Sequence, residues 1–315
     1  MVIGFVGKGG SGKSTLAALC ALLWAKNGHP TLAIDADHNQ HLSALLGLGD
    51  APTLHERSTE LKTLIRGTNP RLAGDEPIIK TTPPGHGSRL IVGPTDPFFA
   101  PCARRDSLVL VGAGTVDEQD VGVRCYHGKA GSAELLLNHL VLLKDERAFV
   151  DMTAGADALA SGLFTRFDLT VFAVEPTRQS LDVYREYQAK TANVGLPSLV
   201  VGNKIEDEAD VAFLRRELPE PFITFPRLSI VKDMERNGRL DPALLPNAAR
   251  GALEAILRRT VHRDGKRFTA LAHDYHRRNA KSWANEAHGR DLTTHIDPFF
   301  DWDEAVLSLQ RTTVR

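Results

Sequence analysis

Gly7-Lys8-Gly9-Gly10-Ser11-Gly12-Lys13-Ser14-Thr15 is the stretch on which the reading turns. It satisfies G-x-x-x-x-G-K-[ST], a spacing in which glycines let backbone N–H groups close around a β-phosphate. Lys13 then neutralises β- and γ-oxygens and Ser14 offers its hydroxyl to Mg²⁺. Apolar residues Val2 to Val6 precede the motif as a strand, and a helical pattern from Lys13 to Asn27 follows it, so the helix dipole adds to phosphate binding. A glycine-rich turn without a ligand is the plain alternative, and the full motif between strand and helix argues against it. Gly7, Gly9, Gly10, Ser11, Gly12, Lys13, Ser14 and Thr15 are therefore assigned to a nucleotide, Lys13 also to catalysis and Ser14 also to the metal.

Working outward, short β-branched or apolar runs alternate with helical periodicity. Strands are expected near Thr31 to Ile34, Arg89 to Val92, Leu108 to Val111, Ala148 to Met152, Leu169 to Val174 and Ser198 to Val201. Helices fill Lys129 to Leu143, Arg178 to Val194 and Asp207 to Leu218. This rhythm predicts an α/β fold with a mostly parallel, doubly wound sheet and a ligand site at the carboxyl ends of its strands. A main domain over 1–262 is expected, with an irregular surface insertion over about 50–101, and a helical C-terminal extension over 263–315. His273 and His276 share a face of that extension and are metal-ligand candidates, but with no accompanying carboxylates or thiols an ordinary solvated helix is the better reading.

Across all 315 residues, 42% hydrophobic and 24% charged residues fit a globular chain and exclude a fibrous or membrane-embedded one. A formal net charge of -1 supplies no global field toward nucleic acid or an anionic membrane, and no binding to either is expected. Three scattered cysteines, Cys20, Cys102 and Cys125, make no disulfide framework and suit a reducing compartment. No leader-like or membrane-spanning stretch is visible, so a cytoplasmic location is expected.

Lys8 sharpens the loop further. Lys-Gly-Gly-x-Gly-Lys-Ser is a deviant Walker A loop, and the chain here resembles the SIMIBI-class family of nitrogenase iron protein, the septum-site ATPase MinD and the partition ATPase ParA. That family also includes the nickel-insertion ATPase of carbon monoxide dehydrogenase (CooC). The resemblance implies an ATP-hydrolysing homodimer that sandwiches nucleotide, with Lys8 reaching the partner's phosphates as an arginine finger does in trans. It also implies that Asp37, in Asp35-Ala36-Asp37, orients the attacking water and that Asp35 sits near the metal shell. In Asp151-Met152-Thr153-Ala154-Gly155, Asp151 holds Mg²⁺ through water and Gly155 senses the γ-phosphate. Asn203-Lys204 looks like the base-reading segment; Glu206 stands where a guanine reader carries Asp, which favours ATP.

Val174-Glu175-Pro176-x-Arg178 and Gly202-Asn203-Lys204-Ile205 look most like the CooC branch, over roughly Met1 to Arg259. That branch binds metal through Cys-x-Cys; this chain carries Cys125-Tyr126-His127, which in an extended segment could complete an inter-subunit Cys₂His₂ site for Zn²⁺ or Ni²⁺. An inert thiol and an ordinary histidine are the alternative. The functions implied are a maturation or metallochaperone-type switch with a protein client, a ParA/MinD-like partition or positioning ATPase, or a small-molecule kinase or ATP-dependent ligase on the same scaffold.

Overall fold

The computed structural model describes residues 1–37, 39–114, 127–159, 161–218 and 222–313. From the glycine-rich loop outward, β1 (Val2–Gly7) feeds α1 (Lys13–Lys26) and β2 (Thr31–Ala36). Next come α2 (Leu42–Leu46), α3 (Ser58–Arg66), β3 (Ile91–Val92), β4 (Ala103–Arg105) and β5 (Leu108–Gly112). The chain continues through α4 (His127–His139), β6 (Leu140–Val141), β7 (Arg147–Met152), β8 (Leu169–Val174) and α5 (Arg178–Thr191). After β9 (Ser198–Ile205), α6 (Glu208–Glu217), β10 (Ile223–Pro226), α7 (Ser229–Arg236) and α8 (Asn247–Leu257), it ends in α9 (Gly265–Asn279), α10 (Asn285–His288) and α11 (Trp302–Thr313).

Among the described residues, eight strands form one sheet in the order β10-β9-β8-β1-β7-β2-β5-β4, parallel throughout except where β4 meets β5. β1 lies between β7 and β8, and the chain winds away from it in both directions. That reversal places a crevice at the carboxyl end of β1, where the glycine-rich loop begins. Register fixes the neighbours: Asp35 of β2 pairs with Asp151 of β7, and Phe5 of β1 pairs with Asp151 from the other side.

Strand alternation builds two cores. Val2, Val6, Leu32, Ile34 and Val150 face a layer that includes α4 and α5 residues, whereas Ile3, Phe5, Ala33 and Phe149 face α1 and α8. α1 is buried along most of its length, and its small residues Ala17, Ala18 and Ala21 let it lie close to the sheet. Gly4 serves the opposite face: a Cβ there would lie 2.1 Å from the Phe167 ring.

Three expectations need correction. The strand expected over Arg89 to Val92 is only Ile91–Val92 and pairs with β6 outside the main sheet. The strand expected over Ser198 to Val201 runs on to Ile205, so Asn203 and Lys204 belong to β9 itself. The 50–101 insertion is irregular but not superficial: Thr81 and Thr82 are fully buried, with Ile78, Leu90, Phe98 and Phe99. The buried Thr82 backbone is satisfied on both sides, since its N donates to the Ile79 carbonyl at 3.0 Å and its carbonyl accepts from Asn138 Nδ2 of α4 at 3.3 Å.

The insertion is covered by the C-terminal stretch. Arg290 pairs with Asp75 at 2.8 Å, His86 Nδ1 meets Asp297 at 2.7 Å, and Ile79 packs with Ala280, Ala284 and Leu292. His276 is a core residue here: its Nδ1 meets Thr81 Oγ1 at 3.2 Å and its Nε2 meets the Leu292 carbonyl at 2.8 Å. Burial lowers its pKa to about 4. Neither the solvated histidine nor the metal ligand weighed from the sequence describes it. Among the described residues no helix is long and apolar enough to cross a membrane.

Candidate functional site

The loop between β1 and α1 is shaped by its glycines. Gly12 has φ +86, and a Cβ on it would fall 2.3 Å from Asn203 Nδ2, so no other residue fits. Asn203 Nδ2 donates to the Ser11 carbonyl at 2.6 Å, and Lys204 Nζ donates to the Gly10 carbonyl. β9 thus braces the loop from outside with the two residues that sequence reasoning gave to the base.

Lys13, at the first turn of α1, lies inside this crevice. Its Nζ donates to Asp37 Oδ2 at 2.9 Å and stands 3.8 Å from Asp151 Oδ1. Burial pulls its pKa down, but Asp151, Asp37 and Asp35 together hold it above the ordinary lysine value. Asp35 is committed to backbone: Oδ1 accepts from Asp37 N at 3.2 Å and Oδ2 from Leu42 N at 2.8 Å. It therefore shapes the turn that aims Asp37 and caps the start of α2. Burial, first, raises Asp35 to about 6, with those backbone N–H groups opposing.

Asp151 is the most charge-frustrated group. Both of its carboxylate oxygens are buried, and burial pushes its pKa up to about 7 against the pull of Lys13 and of the Ser14 hydroxyl. Three carboxylates face one ammonium, an excess of negative charge that a divalent cation offsets. Asp151 and the adjacent Ser14 hydroxyl are hard oxygen donors of the kind Mg²⁺ takes, so the residues fit that ion. After Asp151, Gly155 has φ +64 with open space around it, and Ala154 comes within 3.8 Å of where a Gly9 Cβ would be. The segment after β7 thereby touches the loop.

Lys8 points to a different environment. Its side chain is 32% exposed where that of Lys13 is 10% exposed, and its nearest charge is Glu175 Oε2 at 3.9 Å. Glu175 also takes Lys204 Nζ at 2.8 Å. Sequence reasoning gave Glu175 no role, although an acidic residue and a proline closing a parallel strand mark a crevice wall. It also missed Glu235 of α7, which accepts from Thr15 Oγ1 at 2.8 Å; nothing local in the sequence links positions 15 and 235.

Lys8, Lys13, Asp35, Asp37, Asp151, Asn203 and Lys204 thus converge at the carboxyl ends of β1, β2, β7 and β9. Cys125 lies outside the described residues, as does the side chain of His127, whose backbone opens α4. Among the described residues no group of three or more His, Cys, Asp or Glu side chains is placed to hold a metal.

Residues 3–288 match the family model described as the CobQ/CobB/MinD/ParA nucleotide binding domain. The chain is 27% identical over 217 residues to the carbon monoxide dehydrogenase accessory protein CooC of Rhodospirillum rubrum, covering 68% of this chain and 78% of that protein. It is 27% identical over 209 residues to an uncharacterized ATP-binding protein of Methanocaldococcus jannaschii, covering 66% of this chain and 76% of that one. In fold it is similar to a ParA family ATPase from Chlorobium tepidum, with a TM-score of 0.56 at 17% identity over 82% of this chain and 99% of that chain. McdA from Cyanthece gives a TM-score of 0.53 at 16% identity, over 81% of this chain and 97% of that chain. With the match spanning the phosphate loop and the whole parallel sheet, the chain belongs to the CobQ/CobB/MinD/ParA nucleotide-binding family.

Proposed function

We propose that the protein is a Mg²⁺-dependent ATPase of the cytoplasm whose ATP-bound form is a homodimer, working as a maturation or metallochaperone-type switch on a protein client. The observation that carries this reading is the division of labour between two lysines on one loop. Lys13 is buried between Asp37 and Asp151, and Lys8 lies outside that pocket with a third of its side chain in solvent. One lysine suits the chain's own triphosphate and the other suits phosphates presented by a second subunit.

On this reading the triphosphate displaces Asp37 from Lys13 and frees that carboxylate for the attacking water. Asp35 holds the turn through Asp37 N and Leu42 N, acting as a positioning residue. Mg²⁺ held by Ser14 and, through water, by Asp151 would neutralise charge on the β- and γ-phosphates. Gly155 would accept or release the γ-phosphate and so report hydrolysis. Asn203 would contact the adenine. Support for a maturation role, rather than positioning on DNA or membrane, comes from the similarity to CooC and from a net charge of -1.

The test is oligomeric state by light scattering without nucleotide, with Mg·ADP and with a non-hydrolysable Mg·ATP analogue, for the wild type and Lys8→Ala. A dimer that forms only with the ATP analogue, and that Lys8→Ala weakens, supports the switch. A chain that stays monomeric throughout, or dimerises regardless of nucleotide, overturns the switch and favours a small-molecule phosphotransfer enzyme on the same scaffold.

A further inference from the structure

Glu175 ends no helix, binds no phosphate and has no part in the chemistry above, yet its carboxylate stands between two ammonium groups of the loop region. Oε1 is 2.8 Å from Lys204 Nζ and Oε2 is 3.9 Å from Lys8 Nζ. Lys204 also donates to the Gly10 carbonyl, from a backbone held at φ +59. A left-handed conformation is unfavourable for a lysine, and an outlier of that sort beside a phosphate loop signals a constraint with a purpose. The Lys204 contacts fix one end of the carboxylate against the loop.

The other restraints on Glu175 come from its own backbone. Its N–H donates to Ser180 Oγ at 3.0 Å, its carbonyl accepts from Thr177 N at 2.7 Å, and Pro176 follows it. With its side chain 14% exposed and that of Lys8 32% exposed, Glu175 is a held anion beside a cation that faces solvent.

We propose that Glu175 is a positioning residue that holds Lys8 in cis, folded back on its own subunit, until the phosphates of a partner's nucleotide draw it away. The proposal rests on the in-trans role of Lys8. A partly exposed contact of this length is weak enough to be released, since such ion pairs shift equilibria by a few-fold only. A triphosphate carries more charge than one carboxylate, so the exchange runs toward the partner once both subunits are loaded. The shorter Lys204 contact keeps Glu175 from following Lys8 across, and resets the latch after hydrolysis.

Glu175→Gln keeps the shape and an acceptor for Lys204 while removing the charge. Two measurements read it out, with fluorescent ADP binding as the check that each variant folds. The first is the order of the Lys8 ammonium in the nucleotide-free chain, by ¹⁵N relaxation of lysine-labelled protein. Lys8 is expected to lose order in Glu175→Gln, and unchanged order overturns the latch. The second is dimerisation by sedimentation with the Mg·ATP analogue, for wild type, Glu175→Gln, Lys8→Ala and the double variant. Glu175→Gln is expected to dimerise about 2- to 5-fold more tightly than wild type, with no such gain in the Lys8→Ala background. An equal effect in both backgrounds means that Glu175 acts through Lys204 and the loop, and overturns the proposal. If Lys8 order depends on Glu175 but Lys8→Ala dimerises like the wild type, the in-trans reading is what fails; the cis contact then stands without a gating role.

Discussion

At the scale of single residues, the crevice is built against its own stability. Asp151 carries a folded pKa of about 7 against an ordinary 3.8, and Asp35 one of about 6, because burial disfavours their charged forms. A carboxyl whose folded pKa is raised binds its proton more tightly in the native state than in the unfolded state. Its contribution is therefore favourable at low pH and is lost as pH rises through the folded value. For Asp151 the difference from 3.8 to about 7 corresponds to about 4 kcal/mol at alkaline pH, an order of magnitude that the Lys13 contact already includes. His139 and His276 act in the opposite sense: burial lowers each to about 4, so stability is lost as pH falls from 6.5 through that value. These ranges overlap: from about pH 4 to 6 the two histidines gain what the two aspartates lose, and only Asp151 still titrates above 6.5, so the nucleotide-free protein should be most stable at about pH 6.5. Thermal melts from pH 5 to 8 check this, and Asp151→Asn should flatten the alkaline fall while abolishing the stabilisation that Mg·ATP gives the wild type. An alkaline fall that persists in Asp151→Asn would assign it to another group.

At the scale of elements, what the sequence declares and what it conceals have separate physical causes. β1, β2, β7 and β8 are buried along their whole length and mostly apolar because both faces of the sheet are covered, and such runs are readable without a structure. The phosphate loop is readable because its function constrains nine consecutive positions. β4, β10, α7 and α8 were not foreseen: the first two are short edge strands, and Ala103-Arg104-Arg105 lacks apolar alternation. The insertion misled for another reason. Thr81-Thr82-Pro83-Pro84 is polar or turn-forming by composition, yet it is buried by contacts with α4 and α9 that lie far away in the chain. Among those distant contacts is a buried charge pair no local pattern signals. Arg166, fully buried, has no hydrogen-bond partner at any guanidinium nitrogen, and neither oxygen of Glu134 has one. Burial raises the Glu134 pKa and lowers that of Arg166 to about 10, each partner opposing the shift of the other. Removing Arg166 leaves the buried Glu134 with Lys80 alone as a countercharge, 4.0 Å from its Oε2, so Arg166→Ala should cost about 3 kcal/mol in urea denaturation. Replacing both, as Glu134→Leu with Arg166→Met, should leave stability within about 1 kcal/mol of wild type or raise it. A double variant as unstable as the single one would mean that the two charges do not share a site.

At the scale of the whole molecule, the same pair lies on a continuous line from the nucleotide crevice to the C-terminal helices. Gly155, next in the chain to the Ala154 that approaches Gly9, opens a short 3-10 turn over Gly155–Leu159, and a second turn spans Gly162–Arg166. Gly162 is pressed between Glu134 of α4 and Tyr275 of α9, whose atoms lie 2.3 and 3.1 Å from where its Cβ would be. The Arg166 guanidinium stands 5.6 Å from the centre of the Phe268 ring of α9. Interiors packed this closely shift between discrete arrangements rather than yielding smoothly. If Gly155 senses the γ-phosphate as proposed, a pull on it would be passed to the second turn and to α9, and with α9 to the insertion it holds through His276 and Thr81. β10 sits at the sheet edge, separated from β1 by β8 and β9, and receives no such push. Hydrogen–deuterium exchange should accordingly differ between the Mg·ATP-analogue and Mg·ADP states at 155–166 and 265–279 while 223–226 stays constant. Differences confined to 7–15 and 35–42 would show a nucleotide site that opens and closes without the C-terminal helices, and would remove them from the path to a client.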